Sequence, residues 1–264
     1  MRALLLDMDG VLYQGEKAIA GAREAIIWCH DQHIPHLFLT NTTSRPRRVL
    51  VEKLGAMGIT VSDGEILTPP VAAAGWLQQH IDGPVALFVP ERTHEEFSSI
   101  TVADKDTEEV AAVVIGDLGE AWDFARYNHA FRLLMQNPRA LLIALGLTRY
   151  WQAEDGPRLD VGPFVKGLEY ATEREAVVMG KPAAPFFEAA LAQLDVRMED
   201  TVMIGDDIRG DIDGAQKAGI RAVLVRTGKY RPSDLEQDVK PFAVIDSIAD
   251  LPAWWSQLSR SSQG

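Results

Sequence analysis

The sequence predicts a doubly wound α/β protein whose mostly parallel sheet is interrupted by an inserted αβ module. Short apolar runs alternate with helical patterns from the first residues onward, and this alternation is typical of βαβ units. Two of these runs, at 3–6 and 201–204, lead directly into aspartate-containing loops. A second alternating series lies between residues 82 and 175. The expected core is therefore Rossmann-like, with its ligand crevice at the carboxyl ends of the strands.

Composition describes an ordinary globular chain and excludes several classes of partner. Of 264 residues, 47% are hydrophobic, which is enough to bury a substantial core. A formal net charge of -12 argues against nucleic acid and anionic membranes, because both need a basic surface. The single cysteine, Cys29, lies in an apolar helical pattern and predicts core packing in a reducing compartment. The sequence has no apolar run of membrane-spanning length and no signal-peptide pattern, so a cytoplasmic location is expected.

The first part of the core is expected to follow a strand, helix, strand, helix order. An apolar run at 3–6 predicts a strand, and helical spacing at 21–31 predicts the helix that follows it. A second strand is expected at 36–39, before the polar pair Thr40-Asn41. Ser44 can cap the next helix, and the proline two residues later suits its first turn.

The turn sequence Asp82-Gly83-Pro84 marks the expected entry into the inserted module, after a helix that ends near residue 80. Apolar runs and helical spacing predict strands at 85–89, 110–115 and 140–145 and helices at 122–136 and 163–172. A polar segment at 172–175 is the expected exit. The predicted domains are a discontinuous core of residues 1–81 and 176–264 and an inserted domain of residues 82–175.

The second part of the core resumes the first pattern. Its predicted elements are strands at 177–179, 201–204 and 221–225, helices at 185–194 and up to 218, and a final strand and helix within 242–258. The sequence contains no evident internal repeat. The chain is therefore interpreted as one core with an insertion.

Two aspartates directly follow the first strand, in Asp7-Met8-Asp9-Gly10. In an extended backbone, residues two apart face the same side, so Asp7 and Asp9 can address one reacting centre in different roles. One carboxylate can attack as a nucleophile while the other transfers a proton. A turn stabilised by hydrogen bonds from aspartate to its own backbone is the alternative interpretation.

Polar side chains occupy four loops of the predicted core, each at or beside the end of an apolar run. They are Asp7 with Asp9, Thr40 with Asn41, Lys181, and Asp206 with Asp207 and Asp211. If Asp7, Asp9 and Asp206 converge, each pair of charges about 4 Å apart repels by roughly 4 kcal/mol at an effective dielectric of about 20. A cation must then offset this repulsion. Oxygen ligands without a cysteine or a histidine pair favour Mg²⁺.

These side chains match the requirements of phosphoryl transfer, in which the protein mainly positions and neutralises a charged group. Asp7 is predicted to attack phosphorus and form an aspartyl phosphate. Asp9 is predicted to protonate the departing oxygen and then to deprotonate the hydrolytic water. Lys181 would supply a fixed positive charge, although a surface lysine in a turn is the alternative for that residue alone. The Thr40 hydroxyl and the backbone N–H at Asn41 would hold phosphate oxygens.

This set of motifs resembles the haloacid dehalogenase superfamily, whose pattern is D-x-D-G, a strand-end Thr or Ser, a Lys, and a late G-D-D with a following Asp. The chain matches this pattern motif by motif from Asp7 to Asp211. The insertion resembles the large αβ cap of the nitrophenylphosphatase-like branch. Three further segments resemble the phospholysine phosphohistidine inorganic pyrophosphate phosphatase group: LDVGPF at 159–164, GLEYAT at 167–172 and VRTGKYR at 225–231.

The resemblance implies a set of ligands for Mg²⁺ and for phosphate. The implied metal ligands are the Asp7 carboxylate, the Asp9 backbone carbonyl and Asp206. The implied phosphate ligands are Thr40, Asn41 and Lys181. A cap would exclude water from this site and select the substrate.

Four further residues have two interpretations each. Asp207 and Asp211 either order Lys181 or the waters of the metal, or cap a helix. Arg149 and Tyr150 either present a cation and an aromatic face to the leaving group, or pack within the cap. The resemblance also implies pairing of two chains through the cap.

The predicted function is Mg²⁺-dependent hydrolysis of a small phosphorylated compound. A phosphomonoester is expected, with pyrophosphate and phosphoramidates as further candidates. A phosphomutase, which returns the phosphoryl group to another hydroxyl, is an alternative with the same motifs. A receiver-type signalling module also combines these residue types, but Asp9 and the insertion argue against it. Carbon–halogen hydrolysis needs neither Mg²⁺ nor a second aspartate, so Asp9 and Asp206 oppose it.

Overall fold

The computed structural model of the chain describes residues 3–153 and 155–261. The chain divides into two compact units. The core unit comprises Met1–Thr40, Arg47–Leu67 and Lys181–Gly264. The inserted unit comprises Asn41–Pro46 and Thr68–Gly180.

Strands and helices alternate along most of the chain. In chain order the strands are β1 (Ala3–Asp7), β2 (Tyr13–Gln14), β3 (Lys17–Ala18), β4 (His36–Leu39), β5 (Ile66–Leu67), β6 (Val85–Phe88), β7 (Ala112–Ile115), β8 (Leu141–Ala144), β9 (Tyr150–Ala153), β10 (Gly156–Leu159), β11 (Val177–Val178), β12 (Thr201–Gly205), β13 (Arg221–Val225) and β14 (Ala243–Ile245). The α-helices are α1 (Ala22–Asp31), α2 (Arg47–Ala56), α3 (Pro69–His80), α4 (Phe124–Gln136), α5 (Val161–Thr172), α6 (Ala184–Leu194), α7 (Gly214–Lys217) and α8 (Leu251–Ser261). Within the part of the chain that the structure describes, no helix combines the length and apolar character needed to cross a bilayer.

The core unit is built around a six-stranded sheet in the order β14, β13, β12, β1, β4, β5. Every neighbouring pair in it is parallel. From β1 the chain moves outward through β4 and β5 on one side, and it later returns to build β12, β13 and β14 on the other. Such a reversal beside a central strand is where α/β sheets bind ligands, at the carboxyl ends of the strands. The predicted α/β fold with a mostly parallel sheet is confirmed.

Burial explains why these segments form these elements. All of β1 is buried, as expected for a central parallel strand covered on both faces. Helix α1 buries Ala22, Ala25, Ile26 and Cys29, which recur at helical spacing and therefore line one face. These residues join the main apolar cluster of the core unit. Cys29 is fully buried there, in agreement with the prediction of core packing.

The inserted unit has its own parallel sheet, in the order β11, β8, β7, β6. Helices α4 and α5 pack on it through a shared apolar cluster. Members of that cluster include Val113, Ile115, Leu133, Leu134, Val165 and Leu168. Strands β9 and β10 form a separate antiparallel hairpin. The unit therefore has a hydrophobic core independent of the main sheet.

The boundaries between the units differ from the predicted ones. The predicted crossings follow residues 81 and 175, whereas the structure places them after residues 67 and 180, with 41–46 also in the inserted unit. Helix α3 packs against the 3-10 segment Glu91–Phe97, and β11 pairs with β8. Both elements therefore belong to the inserted unit, and the turn Asp82-Gly83-Pro84 lies inside it rather than at its edge.

Leu54 of α2 provides a test of the core packing. Its side chain is 0% exposed and lies in the main apolar cluster. Leu54→Ala is expected to lower the free energy of unfolding by about 2–5 kcal/mol, because it removes buried methyl groups and leaves a cavity. Glu52→Ala, on the exposed side of the same helix, should change it by less than about 0.5 kcal/mol. Urea unfolding followed by circular dichroism measures both, and equal shifts would contradict this assignment of the helix faces.

Candidate active site

Asp7 ends β1 and lies opposite Leu39, the last residue of β4. Its side chain is largely buried. Gly10 follows in the loop with a φ of +89°, which side chains with a Cβ rarely adopt. A Cβ at Gly10 would overlap the Asp206 carboxylate. The glycine of the first motif is therefore required because the loop after β1 approaches the Asp206 carboxylate closely there.

Lys181 begins the last segment of the core unit, and its side chain is 5% exposed. The ammonium Nζ donates hydrogen bonds to Oδ1 of Asp7 and, at 2.6 Å, to Oδ1 of Asp211. Charge-assisted bonds of this kind are among the strongest that side chains make. The alternative of a surface lysine in a turn is wrong, because the residue is buried between two acidic groups.

The loop after β12 carries Asp206 and Asp211, each 1% exposed. Oδ2 of Asp211 accepts hydrogen bonds from the backbone N–H groups of Asp206 and Asp207, both at 3.2 Å. Because its Oδ1 accepts from Lys181, Asp211 fixes the loop and orients the lysine at the same time. Of its two interpretations, the one that ties Asp211 to Lys181 agrees with these contacts.

Asp207 has a different local role. Its Oδ1 accepts hydrogen bonds from the backbone N–H groups of Arg209 at 3.0 Å and Gly210 at 2.9 Å. These bonds cap the π-helical turn Ile208–Asp213. Its Oδ2 accepts from Nζ of Lys229 at 3.0 Å. Of the two interpretations of Asp207, helix capping is the one that these contacts support.

Residues 227–229, shortly after β13, pack around Asp206. The sequence did not predict this packing. Thr227 Oγ1 donates to the Gly10 carbonyl at 2.5 Å, and the backbone N–H of Lys229 donates to Asp206 Oδ2 at 2.7 Å. Gly228 has a φ of +64°, and a Cβ on it would overlap the Asp206 carboxylate. A glycine between threonine and lysine, just past a buried strand, is the signal that could have identified this segment.

The acidic groups at this site crowd negative charge into a buried space. Ligand oxygens of Asp7, Asp206 and Asp211 lie within 4.8 Å of one another, and we call these residues the carboxylate cluster. Burial, with help from Asp211, raises the pKa of Asp7 to about 8, and burial raises the pKa of Asp206 to about 6. Burial opposes the charge on Lys181, but Asp211 and Asp7 outweigh it and raise the lysine pKa above its ordinary value.

A divalent cation fits this cluster. Oδ1 of Asp206 is buried and has no hydrogen-bond partner among the described residues. An orphaned buried carboxylate oxygen is costly unless a cation or a donor reaches it. Because both oxygens of Asp211 are already bonded, Asp7 and Asp206 are the acids best placed to coordinate such an ion. Hard oxygen ligands of this kind suit Mg²⁺.

The remaining predicted core residues are placed as follows. Strand β1 ends at Asp7, so the alternation of an extended strand does not reach Asp9, and the Asp9 side chain is exposed. Thr40 is buried directly after β4, and its backbone N–H donates to Leu67 at 3.3 Å. Asn41 is exposed and groups with the inserted unit. Thr40 therefore lies at the carboxyl end of β4, in the same sheet whose strand β1 ends at Asp7.

The two predicted specificity residues lie in the inserted unit. Tyr150 begins β9 and is 55% exposed. The Arg149 guanidinium lies 5.9 Å from the centre of the Tyr150 ring, within range of a cation–π contact. Both side chains are exposed rather than packed in the apolar cluster of that unit.

Comparisons with known proteins identify the family. Residues 4–102 match the family described as haloacid dehalogenase-like hydrolases, and residues 178–251 match the HAD-hydrolase-like family. The chain belongs to the haloacid dehalogenase-like hydrolases. The family predicted from the motifs is confirmed.

Several similar proteins within this family carry phosphatase names. Phospholysine phosphohistidine inorganic pyrophosphate phosphatase from Bos taurus is 41% identical over 255 residues, which cover 95% of this chain and 92% of the relative. Haloacid dehalogenase-like hydrolase domain-containing protein 2 from Rattus norvegicus is 40% identical, covering 94% and 93%. The solved p-nitrophenyl phosphatase from Archaeoglobus fulgidus superposes with a TM-score of 0.86 at 27% identity, covering 96% and 98%. The predicted enzyme class, a phosphatase, is confirmed.

Gly10→Ala tests the close approach of the first and last motifs. The variant should lose about 1–3 kcal/mol of stability through backbone strain, and it should lose activity because the new methyl displaces the Asp206 carboxylate. Gly15→Ala is the matched control, since its φ is +61° but its surroundings are open. It should share the strain and keep the activity. Urea unfolding and phosphate release measure the pair, and an active Gly10→Ala enzyme would contradict the packing described.

Proposed function

We propose that this chain is a Mg²⁺-dependent phosphohydrolase that acts on small phosphorylated compounds through an aspartyl phosphate on Asp7. The observation that carries the proposal is the buried ammonium of Lys181. It binds Asp7 and Asp211 beside an Asp206 oxygen that has no partner among the described residues. This arrangement combines a held carboxylate, a fixed positive charge and a place for a divalent cation, which are the parts that phosphoryl transfer requires.

Asp7 is the proposed nucleophile. Lys181 binds its Oδ1, so the second oxygen, Oδ2, attacks phosphorus. A bond from Oδ2 to phosphorus forms as the bond from phosphorus to the leaving oxygen breaks. Water then attacks the same phosphorus, which releases inorganic phosphate and restores the Asp7 carboxylate.

Mg²⁺ would be held by the carboxylates of Asp7 and Asp206 and by the backbone carbonyl of Asp9. When bound, it would neutralise negative charge on the phosphoryl oxygens and favour the ionised form of Asp7. The raised pKa of Asp7 supports this requirement, because burial without a cation disfavours its charged form.

Asp9 is the proposed acid and base. Its exposed side chain lies two residues beyond the nucleophile, where solvent and substrate can both reach it. It donates a proton to the leaving oxygen in the first step and takes a proton from the attacking water in the second. Asp9 is thereby returned to its starting state at the end of each turnover.

The phosphoryl group is proposed to be held by Thr40, Asn41 and Lys181. Lys181 contributes the positive charge that Asp211 positions. Thr40 contributes a hydroxyl from the carboxyl end of β4, the strand next to Asp7. Such preorganised donors stabilise charge that is spread over the phosphoryl oxygens in the transition state.

The inserted unit is proposed to act as a cap that selects the leaving group. The exposed pair of Arg149 and Tyr150 offers a cation and a ring for that purpose. The relatives carry names that refer to phospholysine, phosphohistidine, pyrophosphate and p-nitrophenyl phosphate. We therefore propose a phosphomonoester substrate, with pyrophosphate and phosphoramidates as further candidates. Since these relatives are named phosphatases or hydrolases, transfer to water is favoured over transfer to a second hydroxyl.

Asp7→Asn is expected to lower phosphate release by about 10⁴-fold or more, because the amide cannot attack phosphorus. A screen over phosphomonoesters, pyrophosphate and phosphoramidates measures this, with and without Mg²⁺. Chelation should abolish release by the native enzyme and added Mg²⁺ should restore it. Asp213→Asn is the control, since Asp213 makes a surface ion pair with Lys217 and should retain activity within about two-fold. Wild-type turnover by Asp7→Asn would refute the nucleophile assignment.

Asp9→Asn separates the two chemical steps. With p-nitrophenyl phosphate the leaving group needs little protonation, so the first step should remain fast while hydrolysis of the intermediate slows by about 10²–10⁴-fold. Stopped-flow absorbance should then record a burst of about one p-nitrophenol per active chain, followed by slow turnover. Asp7→Asn should give no burst. An Asp9→Asn enzyme that turns over linearly at the native rate would show that Asp9 is not the base.

A further inference from the structure

A second cluster of potential metal ligands lies in the core unit, away from the carboxylate cluster. It consists of His30 in the last turn of α1, His36 at the start of β4, and Glu65 at the end of the 3-10 turn Asp63–Glu65. One ligand atom from each residue lies within 4.8 Å of the other two. We call these three residues the histidine–glutamate cluster. They come from three separate segments, so their convergence is a product of the fold.

Two of the three spacings between the ligand atoms match a tetrahedral ion. Nε2 of His30 lies 3.1 Å from Oε1 of Glu65, and Nε2 of His36 lies 3.4 Å from the same oxygen. Ligand atoms about 2.0–2.1 Å from a zinc ion at tetrahedral angles lie ~3.3–3.4 Å from each other. Glu65 Oε1 therefore lies near the required distance from both imidazoles, and the two imidazole ligand atoms lie within 4.8 Å of each other.

His36 is prepared as a ligand by its surroundings. Its Nδ1 lies 2.8 Å from the Ile34 carbonyl, which requires the ring proton to be on Nδ1 in the neutral form. Nε2 then presents a lone pair, is buried, and has no hydrogen-bond partner among the described residues. The side chain is 5% exposed. Metal-binding histidines commonly donate their second nitrogen to a carbonyl in this way.

Glu65 is also held in place by its second oxygen. Oε2 accepts hydrogen bonds from the backbone N–H of Ser62 at 2.8 Å and from the Ser62 hydroxyl at 2.7 Å. Oε1 is thereby turned toward both imidazoles. A carboxylate oxygen and an imidazole lone pair that face each other repel unless a proton or a cation lies between them.

We propose that His30, His36 and Glu65 bind one divalent ion of the zinc class. Two imidazoles and a carboxylate form a ligand set that suits zinc better than magnesium. The His30 side chain is 41% exposed, so the fourth position faces solvent and can hold water. The ion would join the end of α1, the start of β4 and the turn before β5, and would stabilise the folded state.

The proposed zinc site lies near the amino ends of β1 and β4, and the proposed catalytic site lies at their carboxyl ends. His36 pairs with Leu4, whereas Asp7 pairs with Leu39 at the other end of the same two strands. Three residues of strand separate these levels, which corresponds to about 10 Å. Zinc at this cluster therefore does not depend on the proposed phosphohydrolase activity.

Zinc affinity tests this proposal directly. Untagged full-length protein is stripped with a chelator, supplied with excess Mg²⁺, and titrated with Zn²⁺ against a chromophoric chelator. We expect one Zn²⁺ per chain. His30→Ala and Glu65→Gln should each weaken binding by about 100-fold or more, and Ser62→Ala by about 10-fold or more. His33→Asn is the matched control, since it changes an exposed histidine of the same segment whose φ of +51° asparagine tolerates.

Two further measurements separate the proposal from its alternatives. Co²⁺ in place of zinc should give the visible absorption bands of tetrahedral coordination in the native chain and in Asp206→Asn, but not in His30→Ala. Zn²⁺ should raise the Tm of the native chain and of His33→Asn but not that of Glu65→Gln. Equal zinc binding by the native chain and His30→Ala, or binding lost in Asp206→Asn and kept in His30→Ala, would overturn the site. Absence of zinc binding by the native chain would leave a proton between His36 and Glu65, and would also overturn it.

Discussion

One buried ammonium holds together acidic groups that would otherwise repel one another. Lys181 binds Asp7 at the end of β1 and Asp211 in the loop after β12, and Asp211 in turn binds the backbone of that loop. Removal of one partner from a buried ion pair costs about 3–5 kcal/mol, because the other charges are left uncompensated. The same interaction also holds Asp7, the proposed nucleophile, and positions the charge proposed to bind phosphate. Stability and chemistry at this site therefore depend on a single side chain.

Much of the core could be predicted because its information is local. The apolar runs before Asp7, Thr40 and Asp206 predict buried strands, and parallel strands bring the residues at their carboxyl ends to one side of the sheet. The limits between the units could not be read in this way. Helix α3 and strand β11 belong to the inserted unit because of partners distant in sequence, the segment Glu91–Phe97 and strand β8. The segment Asp82-Gly83-Pro84 bends at Gly83, but it connects α3 to β6 inside the inserted unit.

Features that depend on the convergence of distant segments could not be predicted from the sequence. Residues 227–229 can pack around Asp206 only because residue 228 is a glycine. The close approach of Gly228 to Gly10 is visible only in three dimensions. The histidine–glutamate cluster could not be predicted for the same reason. Its one local signal is the pair Ser62 and Glu65, which forms a capping box. Nothing in the sequence places that pair beside His36. Among the described residues, the sheet thus carries two sets of potential metal ligands, one near each end of its central strands. Only the set at the carboxyl ends lies where α/β sheets generally bind ligands.

The most direct test of Asp7 as the nucleophile is to locate the phosphoryl group during turnover. The Asp9→Asn enzyme is mixed with p-nitrophenyl phosphate and Mg²⁺, quenched in acid during the burst, digested, and mapped by mass spectrometry. If Asp7 is the nucleophile, a phosphoryl group is expected on the peptide that contains Asp7, at about one per active chain and lost on treatment with hydroxylamine. A stoichiometric phosphoryl group on any other residue would contradict this assignment.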